Sequence, residues 1–142
     1  RNFCFDKDTQ NISRRYRDFI SILIMSLIAK RFERNEPPYT AEEISEEHQI
    51  PIRLTNQTLY QLQEINLIHE VVTDQKSEEI AYQPSMDLNQ LNVAVVLDRL
   101  DTYGSENFKI DKEGEFSDEW RILVESREEY YKKASKVLLK EL

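Results

Sequence analysis

A winged helix-turn-helix with a C-terminal helical extension, mainly α with a small β-hairpin, is the fold class that three stretches of this sequence predict. The first is Thr40 to Leu67, TAEEISEEHQIPIRLTNQTLYQLQEINL, which reads as two short helices joined by a tight turn. The second is a strand pair, Leu67 to Val72 and Ile80 to Gln83, around the polar run Thr73 to Glu79 that would form the wing. The third is an apolar helical pattern ahead of both. There Tyr16, Phe19, Ile20, Leu23, Leu27 and Ile28 recur at steps of three and four, and Ile24 and Phe32 widen the stripe. The divisions expected are a connecting segment over 1–12, the winged helix-turn-helix over 13–85 and a helical extension over 86–142.

In chain order, residues 1–12 are polar apart from Phe3, Phe5 and Ile12 and connect rather than fold. From Ser13 the broad apolar face predicts a central core helix packed on more than one side. Asn35-Glu36-Pro37-Pro38 ends it, because proline lacks a donor and disfavours a helical residue before it. Thr40 and Glu43 sit at capping-box spacing, with Tyr39 placed as a hydrophobic staple. His48 to Pro51 breaks the first helix of the motif, and Pro51 suits the first turn of the next. That second helix carries Leu54, Thr58, Leu62 and Ile65 on one side with Leu59 and Tyr60 nearby. Asn66 supplies a left-handed end. After Pro84 a helix is expected from about Asp87, with Leu88, Leu91, Val95, Val96 and Leu100 inward and Gly104 closing it. Residues 105–116 are irregular. Ser117 then caps a last helix of about 24 residues, some 36 Å long, with Trp120, Leu123, Val124, Tyr131, Ala134 and Leu138 in a stripe. A helix of that length on a small domain suits docking across the core or against a second copy, so the partner expected is a protein or the chain itself, the latter as a homodimer through this helix.

Composition narrows the function. An apolar fraction of 39% supports one core and a charged fraction of 32% a polar surface. A single cysteine, Cys4, excludes an internal disulfide framework and fits a reducing compartment. The chain begins at Arg1 rather than methionine, which fits a piece of something longer. Charge is uneven. Residues 1–35 hold eight basic and four acidic side chains, net +4, while the rest of the chain is net −12. A basic lead-in on an acidic body points to an anionic neighbour at the N-terminus, such as a membrane surface.

No catalytic, cofactor or metal set emerges. His48 falls in the turn and His69 on a strand, where His69 and Glu70 point to opposite faces. Metal-dependent hydrolysis needs clustered ligands with open positions. The two glycines, Gly104 and Gly114, form no phosphate loop. An enzyme is therefore not expected. For nucleic acid, the helix opened by Pro51 offers Arg53, Asn56, Gln57 and Tyr60, and the wing offers Lys76. Yet residues 36–83 carry two basic and ten acidic side chains, net −8, over the region that would face a duplex. Acidic surface repels phosphates, so the expectation is against nucleic acid, with a DNA-binding dimeric transcription regulator kept as the alternative.

The run ISRRYRDFISILIMSLIAKRF, the segment PYTAEEISEEHQIPIRLTNQTLYQLQEINLI, and IAYQPSMDLNQLNV followed by Gly104 resemble the cytosolic C-terminal extension of bacterial YihY/BrkB-family inner-membrane proteins, a group often labelled ribonuclease BN. That resemblance covers about Ile12 to Gly104. It implies a multi-spanning membrane part upstream of Arg1, with Arg14, Arg15 and Arg17 on the cytoplasmic side. It carries no catalytic residue over to this chain. The core is also similar to winged-helix transcriptional repressors, including the group whose three cysteines hold an iron–sulfur cluster; the lone Cys4 departs from that pattern, and no cofactor is expected. The sequence reading thus favours a non-catalytic interaction domain on the cytoplasmic face of the inner membrane, partnered by protein or by itself.

Overall fold

Ser13 caps the longest helix of the structure, α1 (Arg14–Glu33), its hydroxyl accepting from the Tyr16 amide at 3.1 Å. The computed structural model describes residues 11–74, 76 and 78–142. Most of the connecting segment, with Cys4, Phe3 and Phe5, and positions 75 and 77 of the wing loop lie outside these. Ile20, Ile24, Met25, Ile28 and Ala29 bury one face of α1 in the core. Tyr16, Phe19 and Phe32, expected in that stripe, are about half exposed instead.

Three helices end the same way. Past α1, Asn35 turns left-handed (φ 57°), and Asn35 and Glu36 donate back to the Phe32 and Arg31 carbonyls. These paired bonds satisfy carbonyls that the helix end leaves open. Helix α2 (Ala41–His48) closes on Gln49 at φ 56°, and α3 (Ile52–Glu64) on Asn66 at φ 62°. The Asn66 ending was legible in the sequence. Leu67 then donates to the Leu62 carbonyl at 3.0 Å, and both leucines are fully buried. Pro51 stands just before α3 rather than in its first turn.

The hairpin of β2 (Ile68–Asp74) and β3 (Glu79–Pro84) matches the expected strand pair closely. Tyr39 and Thr40 add a short third strand, β1, pairing with Tyr82 and Ala81 of β3, so the antiparallel order is β1-β3-β2. Tyr39 is therefore a buried sheet residue. The sheet and α1 to α3 enclose the core, in which Ile44, Leu59, Leu62 and Leu67 are solvent-free.

The extension departs most from expectation. Residues 87–92 are not helical: Asp87 bonds the Asn89 amide in a local turn, and α4 (Val93–Asp101) starts only where Asn92 caps the Val95 amide. Gly104, at φ 119°, lies beyond the helix end rather than closing it. Helix α5 (Ser117–Ala134) has 18 residues, about 27 Å, with Ser117 inside the helix rather than capping it. The chain then turns back. Leu138 bridges Asn92, and a 3-10 turn (Leu139–Glu141) seats Leu139 fully in the core beside α1. Lys140 secures that tail with bonds of 2.9 Å to Glu33 and to Asn89.

Candidate nucleic-acid interface

Helix α3 divides cleanly into two faces. Leu54, Thr55, Thr58, Leu59 and Leu62 are buried. The two threonines enter the core without penalty because their hydroxyls donate to the carbonyls one turn back, Thr55 to Pro51 and Thr58 to Leu54. On the opposite face Arg53, Asn56, Gln57 and Tyr60 all stand exposed, Tyr60 to 64%. Their spacing of three, four and seven puts them in one row along the helix. Four of the five sequence-predicted contact residues are thereby brought together. The fifth, Lys76, is exposed in the turn at the wing tip, on a separate element.

The helix-turn-helix is held to α1 by Arg31. Its guanidinium lies 3.6 Å from the centre of the Tyr39 ring, donates to the Pro37 carbonyl at 2.8 Å, and approaches Glu43 and Glu47 at 4.0 and 3.7 Å. Glu43 completes the capping box with Thr40, in bonds of 3.1 and 2.9 Å. The Tyr39 hydroxyl donates to Glu47, and burial lifts its pKa above the ordinary tyrosine value. Two of the acidic residues counted against a duplex are thus tied inward to a cation from α1.

A second positioning residue is Arg99 of α4, whose Nη1 donates to the carbonyls of Ile65 and Asn66 at 2.9 and 3.3 Å. It satisfies open carbonyls at the end of α3, where a cation also suits the helix dipole. Beyond it, Asp101 accepts from Arg127 Nε at 2.9 Å and from the Tyr131 hydroxyl, joining α4 to α5. Burial, then that bond to Asp101, holds the Tyr131 phenol well above its usual range. Sequence reasoning missed Arg31 and Arg99. Nothing local marks either one, since their partners lie on other elements.

His48 stacks edge-on near Tyr39, and His69 Nδ1 bonds the Ser85 hydroxyl at 2.9 Å. Among the described residues no three His, Cys, Asp or Glu side chains gather as a metal site.

No family model matches the sequence, and no curated protein does. Solved structures do. IscR from T. potens shares 13% identity, with 92% of this chain and 85% of that one covered at a TM-score of 0.63. CymR, the global cysteine regulator of B. subtilis, shares 14%, covering 92% and 93% at 0.59. A chain from Listeria innocua assigned as a transcriptional regulator shares 11%, covering 87% and 81% at 0.59.

These findings correct the functional expectation. The likeness runs through the winged helix and the helical extension to regulators, not to a YihY/BrkB membrane-protein tail, and that resemblance is withdrawn with its ribonuclease label. The inner-membrane partner goes with it. The basic lead-in is, in its described part, the first turns of the core helix α1, and among the described residues no helix is long and apolar enough to cross a membrane. The expectation against nucleic acid is overturned as well, because the neighbours of this fold include a transcriptional regulator. That expectation rested on a net charge summed over residues 36–83, a window that leaves out Arg14, Arg15 and Arg17, which line a cleft with Gln61 of α3, and Arg31, which lies against Glu43 and Glu47. The absence of a catalytic set in the sequence accords with regulators as neighbours. At these identities the likeness establishes the fold, a winged helix-turn-helix with a C-terminal helical extension.

Proposed function

We propose that this chain is a cytoplasmic, DNA-binding transcription regulator of the IscR and CymR kind, acting as a homodimer. The observation that carries the reading is the exposed row Arg53, Asn56, Gln57 and Tyr60 on a helix whose other face is locked into the core. These residue types suit a major groove: an arginine fork for guanine, amides for adenine, and a tyrosine for phosphate or base. Lys76 at the wing would add a phosphate contact. In this reading 13–85 is the reading head, preceded by a connecting segment over 1–12, and 86–142 is the extension that joins two copies.

Dimerisation is supported by α5, no residue of which is buried and on which Ile122 is 59% and Leu123 47% exposed. Next to it, Phe19, Ile22, Val93, Leu97 and Val137 line an apolar groove of about 690 Å³ between α1, α4 and α5. A second copy covering these surfaces would remove them from water. Two reading heads would then address half-sites about one helical turn apart.

The test is selection of duplexes from a randomised DNA pool at physiological salt, followed by titration of the winners. Enrichment of an inverted repeat, with Arg53→Glu abolishing binding and Lys76→Ala lowering the salt slope by about one, is the expected result. A pool that stays random after repeated selection would remove the reading.

A further inference from the structure

A cleft of about 480 Å³ opens between the first turns of α1, the second half of α3, the end of α4 and the body of α5. Its walls carry four arginines, Arg14, Arg15, Arg17 and Arg127, against two aspartates, Asp18 and Asp101. Asp101 is already matched, by Arg127 at 2.9 Å and by the Tyr131 hydroxyl. In a chain of net charge −8 this is an unusual concentration of guanidinium groups around one concave surface.

Ser21 lines the same cleft with its hydroxyl-bearing side chain. Gln61 offers an amide beside it, and Leu100 with the Tyr130 ring supplies an apolar wall. The volume lies within the range of about 300–1,000 Å³ usual for small-molecule sites. Guanidinium forks recognise phosphate oxygens in pairs, hydroxyl and amide groups take a ligand's remaining polar atoms, and the ring covers its carbon skeleton.

We propose that this cleft binds a small, multiply charged phosphorylated metabolite, and that the occupant is an effector of the regulator. The binding stands on the cleft alone; only the word effector rests on the DNA-binding reading. Gln61 lies one turn beyond Gln57 on α3, and Arg127 lies on α5, so an occupant touches both the reading helix and the helix proposed to join two copies.

Calorimetric titration of the full chain with inorganic pyrophosphate, without DNA and at constant ionic strength, tests it. Saturable binding is expected. Arg15→Ala, at an exposed position, should weaken it at least tenfold, and Ser21→Ala should weaken it less. Arg34→Ala, outside the cleft, should leave it unchanged. Absent or non-saturating heat overturns the proposal, as does equal weakening by Arg34→Ala, which would mean general screening. If Arg15→Ala weakens duplex binding while pyrophosphate does not bind, the arginines serve DNA phosphates and the proposal falls. Because the titration contains no DNA, its outcome is independent of whether the chain binds a duplex.

Discussion

Arg99 reaches from α4 to the carbonyl of Ile65 at 2.9 Å and so fastens the extension to the end of α3. Helix α3 is 13 residues long and amphipathic, a length that is marginal on its own in water. Its orientation depends on what holds its ends. One end is set by the turn at Gln49 to Pro51; the other is set by Arg99.

Replacing Arg99 by methionine keeps the aliphatic stem and removes the donors. Bonds from charged groups contribute roughly 1.5–3 kcal/mol, and the group is partly exposed, so a loss of about 1–2 kcal/mol is expected in urea unfolding. Arg99→Lys should recover only part of it, since a strongly hydrated ammonium on a flexible stem holds its donors in place less well than the planar guanidinium. Unchanged stability for Arg99→Met would show that water satisfies these carbonyls equally well.

The capping box at the start of α2 gives a second measurement. Thr40→Ala leaves the Glu43 amide without its acceptor, and about 1 kcal/mol of stability should go. Glu43→Gln keeps both hydrogen bonds and loses the charge facing Arg31. It should cost less than Thr40→Ala in the same assay, and the reverse order would locate the stabilisation in the ion pair instead.

The returning tail is expected to be structural. Leu139 is fully buried beside α1, and Leu139→Ala should cost about 2–5 kcal/mol by opening a cavity. Lys140→Ala should cost much less, because the pair with Glu33 is near solvent. If both variants melt like the parent protein, the tail does not hold the core.

Asp18 gives a dependence on pH. Burial, and next the charge of Asp101, lift its pKa above the ordinary carboxylate value, while Arg127 and Arg14 pull it down. A carboxyl whose folded pKa is raised binds more protons folded than unfolded between the two values. Its contribution to stability therefore falls as pH rises through that window. Asp18→Asn removes the penalty, so the variant should melt higher than the parent at pH 7. The difference should shrink as pH drops towards the unfolded carboxylate value of 3.8. A variant that melts lower at pH 7 would mean that the arginines outweigh burial.

Much of this fold is decided by residues within a few positions of each other, and those parts were legible in the sequence. The Thr40–Glu43 box, the left-handed Asn66 and the strand pair all follow from backbone donors and side chains one turn or one strand apart. The row Arg53, Asn56, Gln57, Tyr60 was legible for the same reason: helical spacing sets its common face. Tertiary structure alone decided the rest. The third strand at Tyr39 needs Tyr82, Arg99 needs Ile65, and Leu139 needs α1, partners that no local period encodes. Charge was the plainest case. Coulombic interaction depends on separation in space, and folding carries Arg31 to Glu43 and Glu47, and Arg14 to Arg17 to Gln61, past any window drawn along the chain.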